Sequence, residues 1–485
     1  MRISPVDFSI ILLYLTGITV FGICFRRNQQ SLRDYFLGGR SAPWWALACS
    51  IVATETSTLT IIGTPAIAYD GNLGFLQLVL GYLVARVILC VVLVPRYFQG
   101  EFYTAYQLLE KCFGRRVKQA AALVFVMTRA LGEGVRIAAI GKVVSIAFGT
   151  GERASIAIVV ALTLVYTFEG GMRAVIWTDV FQLALYLSAS VVTFFLLLHK
   201  IPSGWTEVTQ IAAASGDKLR VFDFTFSLTR TYTFWSGMIG GTFLTMASHG
   251  TDQTMVQRLL AARSERDSKK ALLTSGVIVF AQFALFLVLG VMLFAYAQHG
   301  FRIAPAADTD RIFPEFIVRE MPVGVAGLIL ASIFAVAMSN ASGSLNSLAS
   351  SSTIDFGGNQ TTTTNEQQLR RSRYVTLLWG VVLGALGLAR WGHLLEAGLT
   401  IASITYGGLL GVFLLGLWNR GANENGALIG LVVGIASMIG VRLGTHIAFT
   451  WYVLLGTIIT MVVGSLASLA HKSARRSDET LHATK

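Results

Sequence analysis

Leu47-Ala-Cys-Ser-Ile-Val-Ala-Thr-Glu55-Thr-Ser-Thr-Leu-Thr-Ile-Ile-Gly63-Thr-Pro65 sits inside a long apolar stretch and breaks the rules for one. A membrane helix has little room for Glu55 among four threonines and a serine, or for a Gly-x-Pro pair at Gly63 and Pro65. Polar side chains and helix breakers at membrane depth are tolerated where they face protein or a water-filled cavity. An acid at the bilayer centre costs about 3 kcal/mol on insertion scales, so Glu55 needs a reason to be there. The Gly63/Pro65 pair is expected to break the helix and free carbonyls beside the hydroxyls. Such a hard-oxygen cage suits a small cation such as Na⁺, and half-helices of this kind form sites in many transporters. The plainer alternative is that Thr54, Thr56, Ser57, Thr58 and Thr60 hydrogen-bond back onto their own helix.

The rest of the chain makes membrane depth the right frame. Of 485 residues, 54% are hydrophobic and 13% charged, with a mean hydropathy of +0.63. A soluble domain carries about 25% charge. The fold class expected is an all-α polytopic membrane protein. Apolar runs of spanning length fall near 6–25, 43–69, 73–95, 119–148, 154–169, 175–199, 232–256, 271–297, 323–352, 374–391, 395–418, 424–444 and 448–470, giving about 13 transmembrane helices. Lys and Arg sort between alternate loops, 23 on one side and 9 on the other. The positive-inside rule then places the chain in the cell (plasma) membrane with the N-terminus outside and the C-terminus cytoplasmic. The same sorting explains the net charge of +12 without a nucleic-acid partner. Cys24, Cys49, Cys90 and Cys112 form no CxxC or Cys/His cluster, and no structural disulfide is expected. Residues 298–322 are expected to hold a short helix, and 357–368 to form a polar inner loop.

Three other clusters carry chemistry. In the ninth run, Ser339, Ser342 and Asn346 share a helical face, with Asn340 beside it. The alternative for this small, polar face is close helix packing. In the fourth run, Arg129, Glu133 and Arg136 stack at i,i+4 and i,i+3 spacing. That ladder either neutralises itself structurally or leaves one guanidinium over, a shape suited to a carboxylate. Asp179 opens the sixth run, and Arg86, Gln77 and His249 are weaker candidates, His249 reading best as a locally satisfied histidine. Tyr406-Gly-Gly408 is a candidate gate.

Together the segments resemble the sodium:solute symporter family, which includes sodium/glucose, sodium/monocarboxylate and sodium/sialic acid carriers. The resemblance rests on Asp34-Tyr-Phe-Leu-Gly-Gly-Arg40, Gly63-Thr-Pro65, Thr104-Ala-Tyr-Gln-Leu-Leu-Glu110, Gly170-Gly with Trp177-Thr-Asp-Val-Phe-Gln182, Gly250-Thr-Asp-Gln with Val256-Gln-Arg258, Phe313-Pro314, Ala337-Met-Ser339 and Arg420-Gly-Ala-Asn-Glu-Asn-Gly-Ala427. It covers almost the whole chain. It implies a five-plus-five inverted-repeat core: residues 1–42 as first helix and cytoplasmic loop, 43–199 as first repeat, 200–231 as outer loop, 232–418 as second repeat, and 419–485 as two further helices and a tail.

The resemblance also implies a main sodium site made by Ala53, Thr56, Val336, Ser339 and Asn340. Asn340 stands where members usually have Ser or Thr. A second sodium or coupling site in some members matches Asp179, Ser339 and Ser342, but Gly343 replaces its remaining serine, so one sodium per cycle is expected. Ser57, Thr60, Gln77, Arg129 and Arg136 are substrate-binding candidates, with the two arginines competing for a carboxylate. Glu55 and Glu133 have coupling or structural roles. The function expected is a sodium-coupled symporter importing a small organic solute, an anion such as a monocarboxylate or acidic sugar, by alternating access. Na⁺ is the coupling ion and no other cofactor is expected. A symporter of neutral sugar or another polar solute is the alternative. A channel would need a pore-lining ring, an enzyme a surface metal or acid cluster, and a sensor an output domain. None of these is visible in the sequence.

Overall fold

The computed structural model describes residues 3–23, 31–301, 309–356, 365–389 and 394–482. Among these residues the regular structure is helical throughout. The chain runs α1 (Pro5–Ile23), α2 (Leu32–Leu37), α3 (Trp44–Glu55), α4 (Thr58–Asp70), α5 (Leu76–Val92), α6 (Val94–Tyr97), α7 (Tyr106–Phe113), α8 (Arg115–Phe148), α9 (Glu152–Lys200) and α10 (Trp205–Ala214). It continues through α11 (Phe234–Gly250), α12 (Gln253–Leu260), α13 (Glu265–Ala297), α14 (Ile312–Glu320), α15 (Val325–Ile354), α16 (Asn365–Gly387), α17 (Leu394–Trp418), α18 (Glu424–Gly444) and α19 (Tyr452–His482). The short helix expected in 298–322 is α14. Cys24 and residues 357–364 of the expected polar loop lie outside the described residues, while Cys49, Cys90 and Cys112 are free thiols.

Among the described residues, seven helical stretches are long and apolar enough to cross a membrane, and the bent pair α3/α4 adds an eighth. The other expected runs also carry helix: α1 and α11 are apolar but short, and two more are less apolar for identifiable reasons. α8 bears Arg129, Glu133, Arg136 and Lys142 along its length, and α16 opens with Glu366, Arg370, Arg371 and Arg373. α9 holds 49 residues, roughly 73 Å at 1.5 Å per residue, over twice the thickness of a bilayer core. It is broken at Gly171, whose φ of 55° and ψ of −162° suit glycine alone, so it is two helices meeting at a kink, one for each expected apolar run.

Two interruptions position the site. α3 and α4 meet at 64°. α11 stops at Gly250, and Asp252 restarts the chain as α12 by accepting the Thr254 amide at 2.8 Å. The run expected over 232–256 is therefore not one helix. The Asp252 cap satisfies a first-turn N–H that would otherwise be orphaned, which makes restarting there favourable.

Close crossings hold these breaks. On α11, a Cβ at Gly241 would lie 2.2 Å from the Leu78 carbonyl oxygen of α5; in return, one at Gly81 would lie 2.6 Å from that of Met238. Small residues that let backbones approach are what helix association in lipid favours. At the centre stands α15, buried along nearly its whole length despite its serines and asparagines.

Candidate functional site

The break between α3 and α4 falls at Thr56 and Ser57, about two turns before the Gly63/Pro65 pair that the sequence singles out. Thr56 is extended, with φ −77° and ψ 112°. Ser57 and Thr60 form a reciprocal capping box, each hydroxyl accepting the other's backbone N–H, at 3.3 and 3.1 Å. That box starts α4 firmly enough for the helix to run on through Gly63 and Pro65. The break frees the last carbonyls of α3. The threonine hydroxyls partly take their plain role: Thr54 donates to Ser50 O and Thr56 to Val52 O, each at 2.8 Å.

Thr56, Val336 and Asn340 are brought together. Asn340 Nδ2 donates to the Thr56 carbonyl at 2.5 Å and to the Val336 carbonyl at 3.1 Å. Among the described residues its Oδ1 is buried with no hydrogen-bond partner. Ala53 lies fully buried in the same last turn of α3. Turned half a revolution about its Cβ–Cγ bond, the amide offers Oδ1 instead, facing two carbonyl oxygens that cannot donate to it. Three such acceptors together suit a cation, and hard oxygens suit a small one. The donor set therefore fits Na⁺ as a transported ion. Ser339 is engaged elsewhere: its Oγ donates to Asp179 Oδ1 at 2.6 Å.

The second cation site implied by Asp179, Ser339 and Ser342 is filled by a protein cation. Arg258 Nη2 donates to Asp179 Oδ2 at 3.0 Å, and Arg258 Nε to Ser50 Oγ at 2.8 Å. Ser50 Oγ in turn donates to Asp179 Oδ2 at 2.5 Å. Ser342 Oγ turns back to the Ser339 carbonyl at 2.9 Å. A Cβ at Gly343 would stand 2.9 Å from Arg258 Nη2, so the missing serine is what makes room for the guanidinium. Arg258 and Asp179 are almost completely buried, and breaking such a pair from one side is strongly destabilising.

A cavity of about 180 Å³ lies against the break. Ser57 and Thr60 line it, as do Arg129 and Arg136 from α8, Glu55, His249, Asp252 and Tyr406. The α8 ladder forms: Arg136 Nη1 lies 3.1 Å and Arg129 Nη2 3.9 Å from Glu133 Oε2. Ser344 of α15 joins it, donating to Glu133 at 2.8 Å and accepting Arg129 Nε at 2.9 Å. Arg129 lines the cavity, and its Nη2 is buried with no hydrogen-bond partner among the described residues, its ionic contact being Glu133. Gln77 does not line this cavity. Its amide ties the segment between α10 and α11 to α5, accepting Asp223 N at 3.0 Å and donating to Gly74 O at 3.1 Å and Tyr232 O at 3.3 Å.

Sequence reasoning missed Asp252 as a cavity residue. The signal was present in Gly250-Thr-Asp252, a helix stop followed by a capping aspartate. Its second oxygen accepts the Tyr406 hydroxyl at 2.9 Å, tying the candidate gate on α17 to the α11/α12 break. Arg258 as the partner of Asp179 was equally hidden, since 79 residues separate them.

Residues 35–434 match the model of the sodium:solute symporter family. The sodium/sialic acid symporter NanT of Aliivibrio fischeri is 32% identical over 483 residues, spanning 96% of this chain and 93% of the relative. Sodium-coupled monocarboxylate transporter 2 of Bos taurus is 27% identical across 91% of this chain and 72% of its own length. Among solved structures, a Na⁺-coupled sialic acid symporter in a substrate-bound outward-open state superposes with a TM-score of 0.89 at 27% identity, covering 96% of this chain and 98% of that one.

Proposed function

The chain belongs to the sodium:solute symporter family, and on that footing we propose that it imports a small organic anion, an acidic sugar or monocarboxylate, together with one Na⁺ by alternating access. The observation that carries the anion is the α8 ladder beside the α3/α4 break: Arg129 and Arg136 both line the cavity and share the one carboxylate of Glu133, leaving a positive charge over. A surplus positive charge in a low-dielectric wall is costly until a carboxylate meets it. The relatives are consistent with this: one is named for sialic acid and another for monocarboxylates.

Sodium binds at Ala53, Thr56, Val336, Ser339 and Asn340, joining the break to α15. Bound there, it fixes the break that also presents Ser57 and Thr60 to the cavity, so ion and solute favour one arrangement together. A ligand shifts a conformational equilibrium only by its differential affinity, and this shared element supplies the difference for both. One Na⁺ entering across about 100 mV provides about 2.3 kcal/mol, and a tenfold gradient adds about 1.4 kcal/mol. The membrane arrangement proposed is thirteen spans with the N-terminus outside, the two interrupted elements α3/α4 and α11/α12 opening the two five-helix repeats.

Thermal stabilisation of the purified protein against sugars, organic acids and amino acids, with Na⁺ or choline as the cation, tests the reading. Carboxylates are expected to stabilise only with Na⁺. Stabilisation by neutral sugars alone would overturn the anion, and stabilisation indifferent to Na⁺ would overturn the coupling.

A further inference from the structure

Glu55 carries chemistry that neither the ion cage nor the α8 ladder uses. It is the last residue of α3, and the chain turns there so that neighbours point opposite ways. The Thr56 carbonyl faces Asn340 of α15, whereas the Glu55 side chain faces α5 and α11. Arg86 of α5 donates Nη2 to Glu55 Oε2, with Nη1 committed to Tyr82 O at 3.1 Å and Nε to Ser275 Oγ at 3.3 Å. His249, at the end of α11, places Nε2 3.5 Å from the same carboxylate oxygen and 3.3 Å from Arg86 Nη2. Its Nδ1 lies 2.9 Å from Ser248 Oγ. Arg86 and His249 are almost wholly buried, and they act on one edge of the carboxylate.

The other edge is open. Among the described residues no hydrogen bond engages Glu55 Oε1, and the Glu55 side chain, 12% exposed, lines the same cavity as Arg129. Ser248 lines it too. Among the polar groups that line the cavity are therefore two of opposite kind: the Arg129 guanidinium, from a ladder with one positive charge over, and the Glu55 carboxylate, held on one edge and open on the other. A solute that satisfies both has an anionic acceptor at one end and a donor at the other. Arg86 decides which donor. It neutralises Glu55 and places a permanent positive charge beside it, which disfavours an ammonium but leaves the lone pairs of Oε1 available to a hydroxyl.

We propose that Glu55, held by Arg86 and His249, is a solute-recognition residue that accepts a hydroxyl of the solute while Arg129 takes its carboxylate, so that the transported class is hydroxylated carboxylic acids rather than plain alkyl monocarboxylates. This rests on the anion reading above. A site arranged to hydrogen-bond a hydroxyl discriminates against analogues lacking it, because its own buried polar group is then left unpaired.

The test compares glycerate and gluconate with propionate and hexanoate, matched in carbon number, by calorimetric titration of the full-length protein in Na⁺. The hydroxylated acids are expected to bind roughly tenfold tighter or better. A Glu55→Gln/Arg86→Gln double variant, which avoids leaving Arg86 unpaired, is expected to lose most of that preference while keeping its stabilisation by Na⁺ alone. Equal affinities for matched acids in the unaltered protein would overturn the proposal even if neither variant folds. So would a double variant that keeps the preference, or one whose Na⁺ response collapses while the preference stays. Binding of the alkyl acids as tightly as the hydroxy acids leaves the anion reading standing and removes only Glu55. Binding of neutral polyols with no carboxylate bound removes both.

Discussion

Asn340 stands where the family resemblance implies a shorter hydroxyl, and its nitrogen spans the Thr56 and Val336 carbonyls. Sodium at the proposed site must take those carbonyls from it. Each such hydrogen bond is worth about 0.5–1.5 kcal/mol net. Asn340→Ser is therefore expected to lower the Na⁺ concentration for half-maximal stabilisation several-fold, read by thermal shift against Na⁺. Ser339→Ala should act in the opposite direction, because Ser339 is both an expected ligand and a donor to Asp179. Uptake by this variant with unaltered Na⁺ half-saturation would place the ion elsewhere. For the solute, Arg129→Gln removes one of the two guanidiniums that line the cavity and share Glu133. Hydrogen bonds to charged groups contribute about 1.5–3 kcal/mol, so the half-saturation for a carboxylate is expected to rise roughly ten- to hundredfold. An unchanged value would pass the role to Arg136.

Among the elements, α4 shows how a helix survives an internal proline. Pro65 lacks an N–H and frees a carbonyl one turn earlier, yet α4 passes through it because its start is capped at Ser57 and its flank is covered by α13. A Cβ on Gly290 of α13 would stand 2.1 Å from the Pro65 carbonyl oxygen. Gly290→Ala forces these helices apart, at a cost expected near 1–3 kcal/mol in thermal or denaturant unfolding; a variant as stable as the parent would show that the crossing has slack. The end of α15 carries a pH-dependent fastening. Asp355 accepts Thr104 Oγ1 at 2.7 Å and Ser351 Oγ at 2.8 Å. Burial pushes its carboxyl up to about 7, although those hydroxyls and the charge of Lys118 pull the other way. The folded protein thus holds this proton where the unfolded chain has released it. The associated stability is fully present below about pH 4 and is lost as pH rises through 7. Melting temperature should fall across that interval, and Asp355→Asn should flatten the fall; an identical slope in the variant would assign it to other groups.

For the molecule as a whole, the consequence that matters is stoichiometry. Asp179, the oxygen centre of a possible second ion site, already has a guanidinium at 3.0 Å. Arg258 cannot leave with the cargo, so on the proposed one-sodium reading the pair joins α9, α12, α3 and α15 as a fixed ion pair. Solute-dependent Na⁺ activation is expected to be hyperbolic, with a Hill coefficient near one and one sodium per solute in paired flux measurements. A coefficient near two would require Arg258 to vacate Asp179.

The sequence by itself determined the membrane-embedded, all-helical class, the family, and the identity of the polar residues that matter, because hydropathy, charge sorting and local spacing are one-dimensional properties. Thr54 to Thr60, the α8 ladder and the α15 polar face were all legible in this way. Tertiary structure alone decided the pairings. It moved the break from Gly63/Pro65 to Thr56/Ser57, where a capping box offsets the lost helix bonds. It withdrew Gln77 from the cavity and brought in Asp252. It gave Asp179 to Arg258 and Glu55 to Arg86, partners 79 and 31 residues distant in sequence. Local pattern records which groups must be satisfied at membrane depth; which group satisfies which depends on distances that exist only once the helices are packed.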